Sequence, residues 1–278
     1  MRRLLGFLGI LLVCCSIGAV CAEGGFSEEE FDMEEMLEIK EDLLWTFPVK
    51  PEEMNPEYIR LANKHYLLEE SYVPEDLVKV PKDPKNGGIK WTGAPKEGHR
   101  LRKDCAEALC AMNAEMRQID GFQTMYLKSA YRSYRTQKTM YSNRLKKNKG
   151  KDDGWVSMPG ASDHQTGLGC DVIPYNWTKK SGMNEKMMKE KECQWMAEHC
   201  HEYGFIIRYP ADKKEITEIN TEPWHLRYVG IPAAKYIKEN GLCLEEFVEQ
   251  LQTVIRDYLS RGGDAARVEA FIQAPSDE

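Results

Sequence analysis

Beyond its first 22 residues the chain lacks four things: a long apolar run, an excess of positive charge, an internal repeat and any Cys-x-x-Cys spacing. Each absence excludes something. A membrane-spanning helix needs about 20 consecutive apolar residues, so none is expected after Ala22. The formal net charge is −7, from 38 Lys plus Arg against 45 Asp plus Glu. With no basic patch to meet phosphates, no nucleic-acid partner is expected. Without closely paired cysteines, a cysteine-built zinc site is excluded. The helical His-Glu-x-x-His pattern is also missing. Histidine is scarce, at six residues, so two of them standing near carboxylates carry weight.

The first 22 residues are different. Met1-Arg2-Arg3 is a short basic start, Leu4 to Ala22 carries no charge, and Val20-Cys21-Ala22 offers small residues for cleavage. This pattern predicts a secretory signal over residues 1–22; an uncleaved segment would instead anchor the chain in a membrane. Residues 23–57 hold thirteen acids against two lysines. They read as an acidic arm, helical or solvated, ending in a linker marked by Pro48, Pro51 and Pro56. From Tyr58 onward the chain is close to neutral. One core domain is expected over 58–251, with a helix end and tail over 252–278, as a monomer. Six cysteines lie beyond the signal: Cys105, Cys110, Cys170, Cys193, Cys200 and Cys243. In a secreted protein they admit disulfides. Buried free thiols fit equally well, because a domain of this size can bury a core without staples.

The densest chemistry lies in Ser162-Asp163-His164-Gln165-Thr166-Gly167-Leu168-Gly169-Cys170-Asp171, answered some fifty residues later by Glu222-Pro223-Trp224-His225. His164, Asp171 and His225 suit a zinc ion, since a catalytic zinc takes three protein ligands and keeps a position for water. Glu222, three residues before His225, stands where a general base belongs. Gly167 and Gly169 allow a bend or a close backbone approach between the ligands. Cys170 to Ile173 and the run through Tyr228 are β-prone, which predicts Asp171 and His225 on or near strands.

Around these motifs the pattern predicts helices over 102–120, 136–145, 184–202, 231–240 and 244–259, and a strand over 124–129. A hairpin is expected from 205–209 and 216–220 with a charged turn between. The class is α+β.

Five blocks carry a family resemblance. Ser162 to Asp171 resembles the Ser-x-His-x-x-Gly-x-Ala-x-Asp signature of the VanY-type D-alanyl-D-alanine carboxypeptidases, and Glu222 to His225 resembles their Glu-x-x-His. Ser129-Ala130-Tyr131-Arg132-Ser133 with Gln137, Gly204-Phe205-Ile206-Ile207-Arg208-Tyr209-Pro210, and Leu61 to Lys64 with Tyr72 to Leu77 are similar to further family blocks in the same order. The departures are Asp163, where Glu is commoner, and Gly169-Cys170, where Ala followed by an apolar residue is usual; Gly169 only removes a methyl and is expected to be harmless.

The resemblance implies a small antiparallel sheet carrying the metal and flanked by helices, a fold shared with the zinc domain of hedgehog proteins. It implies one zinc per chain on His164, Asp171 and His225, with Glu222 as base and Arg132 steadying substrate oxygen. Gln137, Ser157 and Ser162 are candidates for substrate contact or, equally, turn and capping residues, and Trp224 walls the pocket or belongs to the core. The implied activity is removal of the carboxy-terminal D-amino acid from peptidoglycan stem peptides, in a bacterial cell wall, by a secreted or envelope protein. Cleavage after an L-residue and endopeptidase action would use the same ligands. The sequence is also compatible with a non-catalytic zinc-containing module that binds the cell wall, and with a disulfide-stapled secreted protein that holds no metal.

Overall fold

A computed structural model of the chain describes residues 33–180 and 182–276, so the expected signal lies outside the described residues. Residues from Leu44 on form one compact unit; ahead of it the helix α1 (Met33–Leu44) is described. Among the described residues no helix is long and apolar enough to cross a membrane.

Five strands make the central sheet: β2 (Lys90–Trp91), β4 (Tyr126–Ser129), β5 (Gly169–Ile173), β7 (Glu222–Tyr228) and β6 (Phe205–Tyr209), in that spatial order. Every pairing is antiparallel except the two-residue edge pair of β2 and β4. A separate ribbon pairs β1 (Leu77–Lys79) with β3 (Arg100–Arg102). All five residues of β5 are buried, as befits a central strand covered on both faces.

Strand periodicity sorts the side chains by face. Cys170 and Val172 of β5 and Trp224 and Leu226 of β7 join one apolar cluster with α2 (Lys103–Met116) and α4 (Lys191–His199). The intervening Asp171 and His225, register partners across β5 and β7, stand on the other face. On β6, Phe205 joins the first cluster and Ile206 a second, built on α6 (Ile231–Glu239) and α7 (Leu244–Ser260). Along α7, Leu244, Phe247, Val248, Leu251, Ile255 and Tyr258 are buried, the i, i+3, i+4, i+7 stripe of an amphipathic helix. By contrast α3 (Tyr134–Lys147), capped by the Ser133 hydroxyl, buries a single residue, and that residue is Gln137.

Three expectations are corrected. The strand partner of β6 is β7 and not 216–220: Lys214–Thr217 forms one helical turn, α5, closed by Glu218 in the left-handed region at φ 56°. Ile216 is exposed while Thr217 is buried, so the burial does not follow the apolar-inward alternation a half-buried strand requires. The helix expected over 184–202 is a 3-10 turn at Glu185–Lys189, then α4, then a 3-10 turn at Cys200–Tyr203. The extended backbone of Glu190 breaks it. Finally, the core starts well before Tyr58. Trp45, Phe47 and Val49 are buried in the second cluster, together with Val268 and Phe271 near the carboxy terminus. Three large apolar side chains outweigh the local excess of acid. The last helical turn, α8 (Ala265–Val268), likewise packs on the core.

Candidate active site

Three elements bring the metal-ligand candidates together. His164 sits on the 3-10 turn Asp163–Thr166, which Gly167 closes at φ 70°. The left-handed backbone at Gly167 favours glycine, and a Cβ there would also crowd Leu77 Cδ2 at 2.8 Å. Asp171 and His225 come from β5 and β7. One potential ligand atom from each of the three lies within 4.8 Å of the others, and all three residues are buried. His164 Nε2 is 3.5 Å from Asp171 Oδ2, and His225 Nδ1 is 3.3 Å from Asp171 Oδ1. His164 is oriented from behind by the Ala130 carbonyl, 2.7 Å from Nδ1. That contact leaves Nε2 for a metal.

Glu222 opens β7, with Oε2 3.4 Å from His225 Nδ1. Residues three apart on a regular strand point to opposite faces. Here the β6–β7 register jumps between Ile207/Leu226 and Tyr209/Glu222, and the irregularity at Pro223-Trp224 returns Glu222 to the face of His225. Pro223 suits such a place, having no N–H to give to a ladder. A second irregularity lets Lys128 bulge between Leu127 and Ser129 opposite β5. Bulges of this kind re-aim side chains beside active sites.

Arg132 follows β4. Its backbone N–H donates to the His164 carbonyl at 3.1 Å, its Nη1 to Gln137 Oε1 at 2.7 Å and its Nη2 to Ser129 Oγ at 3.1 Å. Gln137 Nε2 in turn donates to the Ser157 carbonyl at 2.5 Å. Both ends of the Gln137 amide are therefore engaged within the protein, which makes it a support for Arg132. Arg132, Gln137, Ser157, Ser162, Glu222 and the three ligand candidates all line one cleft of about 130 Å³, with apolar walls from Met140, Val156, Met183 and Ile219. Trp224 lines it too, stacked on Trp155 at 6.5 Å and 8°. Sequence reasoning missed Trp155. It also gave no role to Tyr209, although that residue belongs to the Gly204–Pro210 block; its buried ring packs edge-on to His225 at 5.0 Å.

The electrostatics are those of a site built around a cation. Burial, then Arg132, pushes His164 down to about 4. Burial opposes a charge on His225 as well, but the carboxylates of Asp171 and Glu222 outweigh it and raise it to about 9. Asp171, despite burial, is held below the carboxylate range by the two imidazoles. Glu222 is raised, chiefly by burial, toward the range where a general base works. Asp171 Oδ1 and His225 Nε2 are buried without a hydrogen-bond partner. Two imidazoles and a carboxylate with unmet polar atoms fit a zinc ion.

Residues 98–231 match the family model for VanY, D-alanyl-D-alanine carboxypeptidase. YodJ of Bacillus subtilis is 38% identical over 205 residues, covering 72% of this chain and 70% of that protein. The chain belongs to the VanY family of carboxypeptidases. Among solved structures, the LD-carboxypeptidase LdcB is similar at 38% identity and a TM-score of 0.60, covering 70% of this chain and 87% of its own. A mutant of the vancomycin-resistance D,D-pentapeptidase VanY, in complex with Zn(II), is similar at 29% identity and a TM-score of 0.53, covering 69% of this chain and 99% of its own. The α+β architecture is that of this family.

Proposed function

We propose that this carboxypeptidase holds one zinc ion on His164, Asp171 and His225 and removes the terminal D-amino acid from peptidoglycan stem peptides outside the cytoplasm. The observation that carries the reading is the convergence of those three ligand atoms within 4.8 Å, with Glu222 3.4 Å from His225 in the same cleft. When bound there, zinc would acidify a water molecule and polarise the scissile carbonyl. Glu222 takes the proton from the attacking water and returns it to the departing amino group. Its raised pKa suits both halves of that task. Arg132, fixed from two sides by Gln137 and Ser129, presents its guanidinium to substrate oxygen and to the negative charge that develops there. Ser157 and Ser162, on the cleft wall, are placed to meet the substrate's terminal carboxylate or backbone. The apolar walls from Met140, Val156, Met183 and Ile219 would take up a small substrate side chain.

Between the two bonds a stem peptide offers, the likeness to LdcB supports cleavage after the L-residue, since identity is 38% there against 29% for the D,D-pentapeptidase. The test is incubation of the zinc-loaded protein with defined tetrapeptide and pentapeptide muropeptides, with products read by mass. Loss of one alanine from the tetrapeptide is expected. Loss from the pentapeptide alone would assign D,D-specificity, and turnover of neither would remove the reading.

A further inference from the structure

Asp163 is no ligand, yet it is fully buried beside one, between two fully buried arginines. Arg208 of β6 donates from Nε to Asp163 Oδ2 at 2.7 Å, and Arg227 of β7 donates from Nη1 to Oδ1. Neither arginine is free to follow the carboxylate. Arg208 also makes a two-pronged pair with Glu245 at 2.8 and 2.6 Å. Arg227 donates from Nη2 to the carbonyls of Tyr58 and Arg60 at 2.9 and 2.8 Å. The carboxylate position is thus set by the strands, and the Asp163 backbone must lie one short side chain away from it.

That brings the turn hard against the start of β5. A Cβ built on Gly169 would lie 2.8 Å from both the carbonyl carbon and the Cβ of Asp163 and 3.0 Å from its carbonyl oxygen. The oxygen cannot simply swing aside, because Thr166 Oγ1 donates to it at 2.6 Å. Gly169 is moreover the register partner of Arg227, so turn, strand and arginine meet at one point.

We infer that Asp163 and Gly169 are a coupled pair of positioning residues for the metal site. The short carboxylate draws the His164 turn onto β5, and the bare Cα of Gly169 makes room for it. Both are positions at which the chain departs from the family motif quoted above, and they depart in matching directions: a shorter acid and a smaller neighbour. A glutamate would let the backbone stand back by about the ~1.5 Å of one carbon–carbon bond, which is the space a methyl at 169 requires. The displacement would travel directly into His164. Through the His164 carbonyl, which accepts from the Arg132 N–H at 3.1 Å, it would travel into Arg132 as well.

The inference rests on the zinc reading above, and a double-mutant cycle in the full chain tests it separately. Wild type, Gly169→Ala, Asp163→Glu and the double variant are compared for zinc affinity by chelator competition, for kcat and KM, and for melting in chelator. Each single variant should lose about tenfold or more in zinc affinity, the scale of lost support around a metal ligand. The double variant should return to within about twofold of wild type, so that the losses do not add. Singles that bind zinc like wild type, or losses that add in the double, overturn the pairing. A change in melting alone, with zinc affinity unmoved, overturns it too, since that marks a merely structural role. Should Asp163→Glu fail to fold, Gly169→Ala alone decides: unchanged zinc affinity is fatal. A wild type that takes up no zinc removes the functional reading itself, and this inference with it.

Discussion

The duties proposed for Glu222 and Arg132 are separable. Glu222→Gln keeps the side-chain shape but cannot accept a proton. Zinc content should stay near wild type while kcat falls by roughly 100-fold or more, with KM little changed. Elemental analysis with steady-state kinetics checks both, and loss of zinc in this variant would make Glu222 a ligand. Arg132→Ala should lower kcat by about 10²–10³-fold, as removal of a preorganised charge donor does, again with zinc retained. The cysteines are inert by the same kind of reasoning. All six described are free and buried, and burial pushes Cys110 up to about 11 and Cys193 and Cys200 to about 12. A thiol-labelling reagent should therefore react only after unfolding, and a non-chelating reductant should leave activity intact. Prompt labelling of the native protein would contradict the packing.

At the scale of elements, the acidic arm divides in two. Removal of residues 23–43 should leave activity per zinc unchanged. Extending the deletion to Met54 removes Trp45, Phe47 and Val49 from the second cluster. Each such side chain contributes about 1.5–3 kcal/mol when fully buried, so the longer deletion should lower the melting temperature steeply. An unchanged melting point would show that this segment adds nothing to the core. The acid-rich composition hid these three residues, because a window average weighs charge above three well-placed apolar side chains. The candidate ligands His164, Asp171 and His225 and the candidate base Glu222 were legible for the opposite reason: they are side chains whose types and spacing point to their chemistry. What orients them was not legible. The Ala130 carbonyl behind His164 is backbone, and the register jump that turns Glu222 toward His225 depends on the pairing with β6. Only Pro223 hinted at it. The strand expected at 216–220 failed because β-branched residues state a preference, while pairing needs a face to bury.

Across the whole molecule, one polar network ties the amino-terminal segment, both sides of the sheet's ligand strand and α7 together. It runs from the Tyr58 carbonyl through Arg227, Asp163 and Arg208 to Glu245. Burial pushes the Glu245 carboxyl up, but Arg208 and the Asn63 amide more than reverse this and hold it below its ordinary value. A carboxylate with a depressed folded pKa adds stability above its unfolded pKa and loses it as pH falls through the folded one. Glu245 should therefore stabilise fully at neutral pH and release that stability in acid, below the ordinary glutamate range. Glu245→Gln should cost about 2–3 kcal/mol at pH 7, the scale of hydrogen bonds to a charged group. The difference from wild type should shrink as pH is lowered. Denaturant melts across pH measure it, and a gap that widens in acid would reverse the sign assigned to this group.

The tryptophan pair at the cleft has an optical consequence. Trp155 and Trp224 lie nearly parallel at 6.5 Å, and the loop carrying Trp155 is bolted in place. Asn220 Nδ2 donates to the Asp153 carbonyl at 2.7 Å, and Arg144 grips the Asp153 carboxylate at 3.0 and 2.6 Å. Two indoles so disposed shape each other's surroundings, and Trp155→Phe should change the near-ultraviolet circular dichroism and the fluorescence of the protein. Trp155 is 37% exposed and borders the substrate cleft. A peptide entering beside it should alter the emission wavelength, so the protein carries a label-free reporter of its own occupancy.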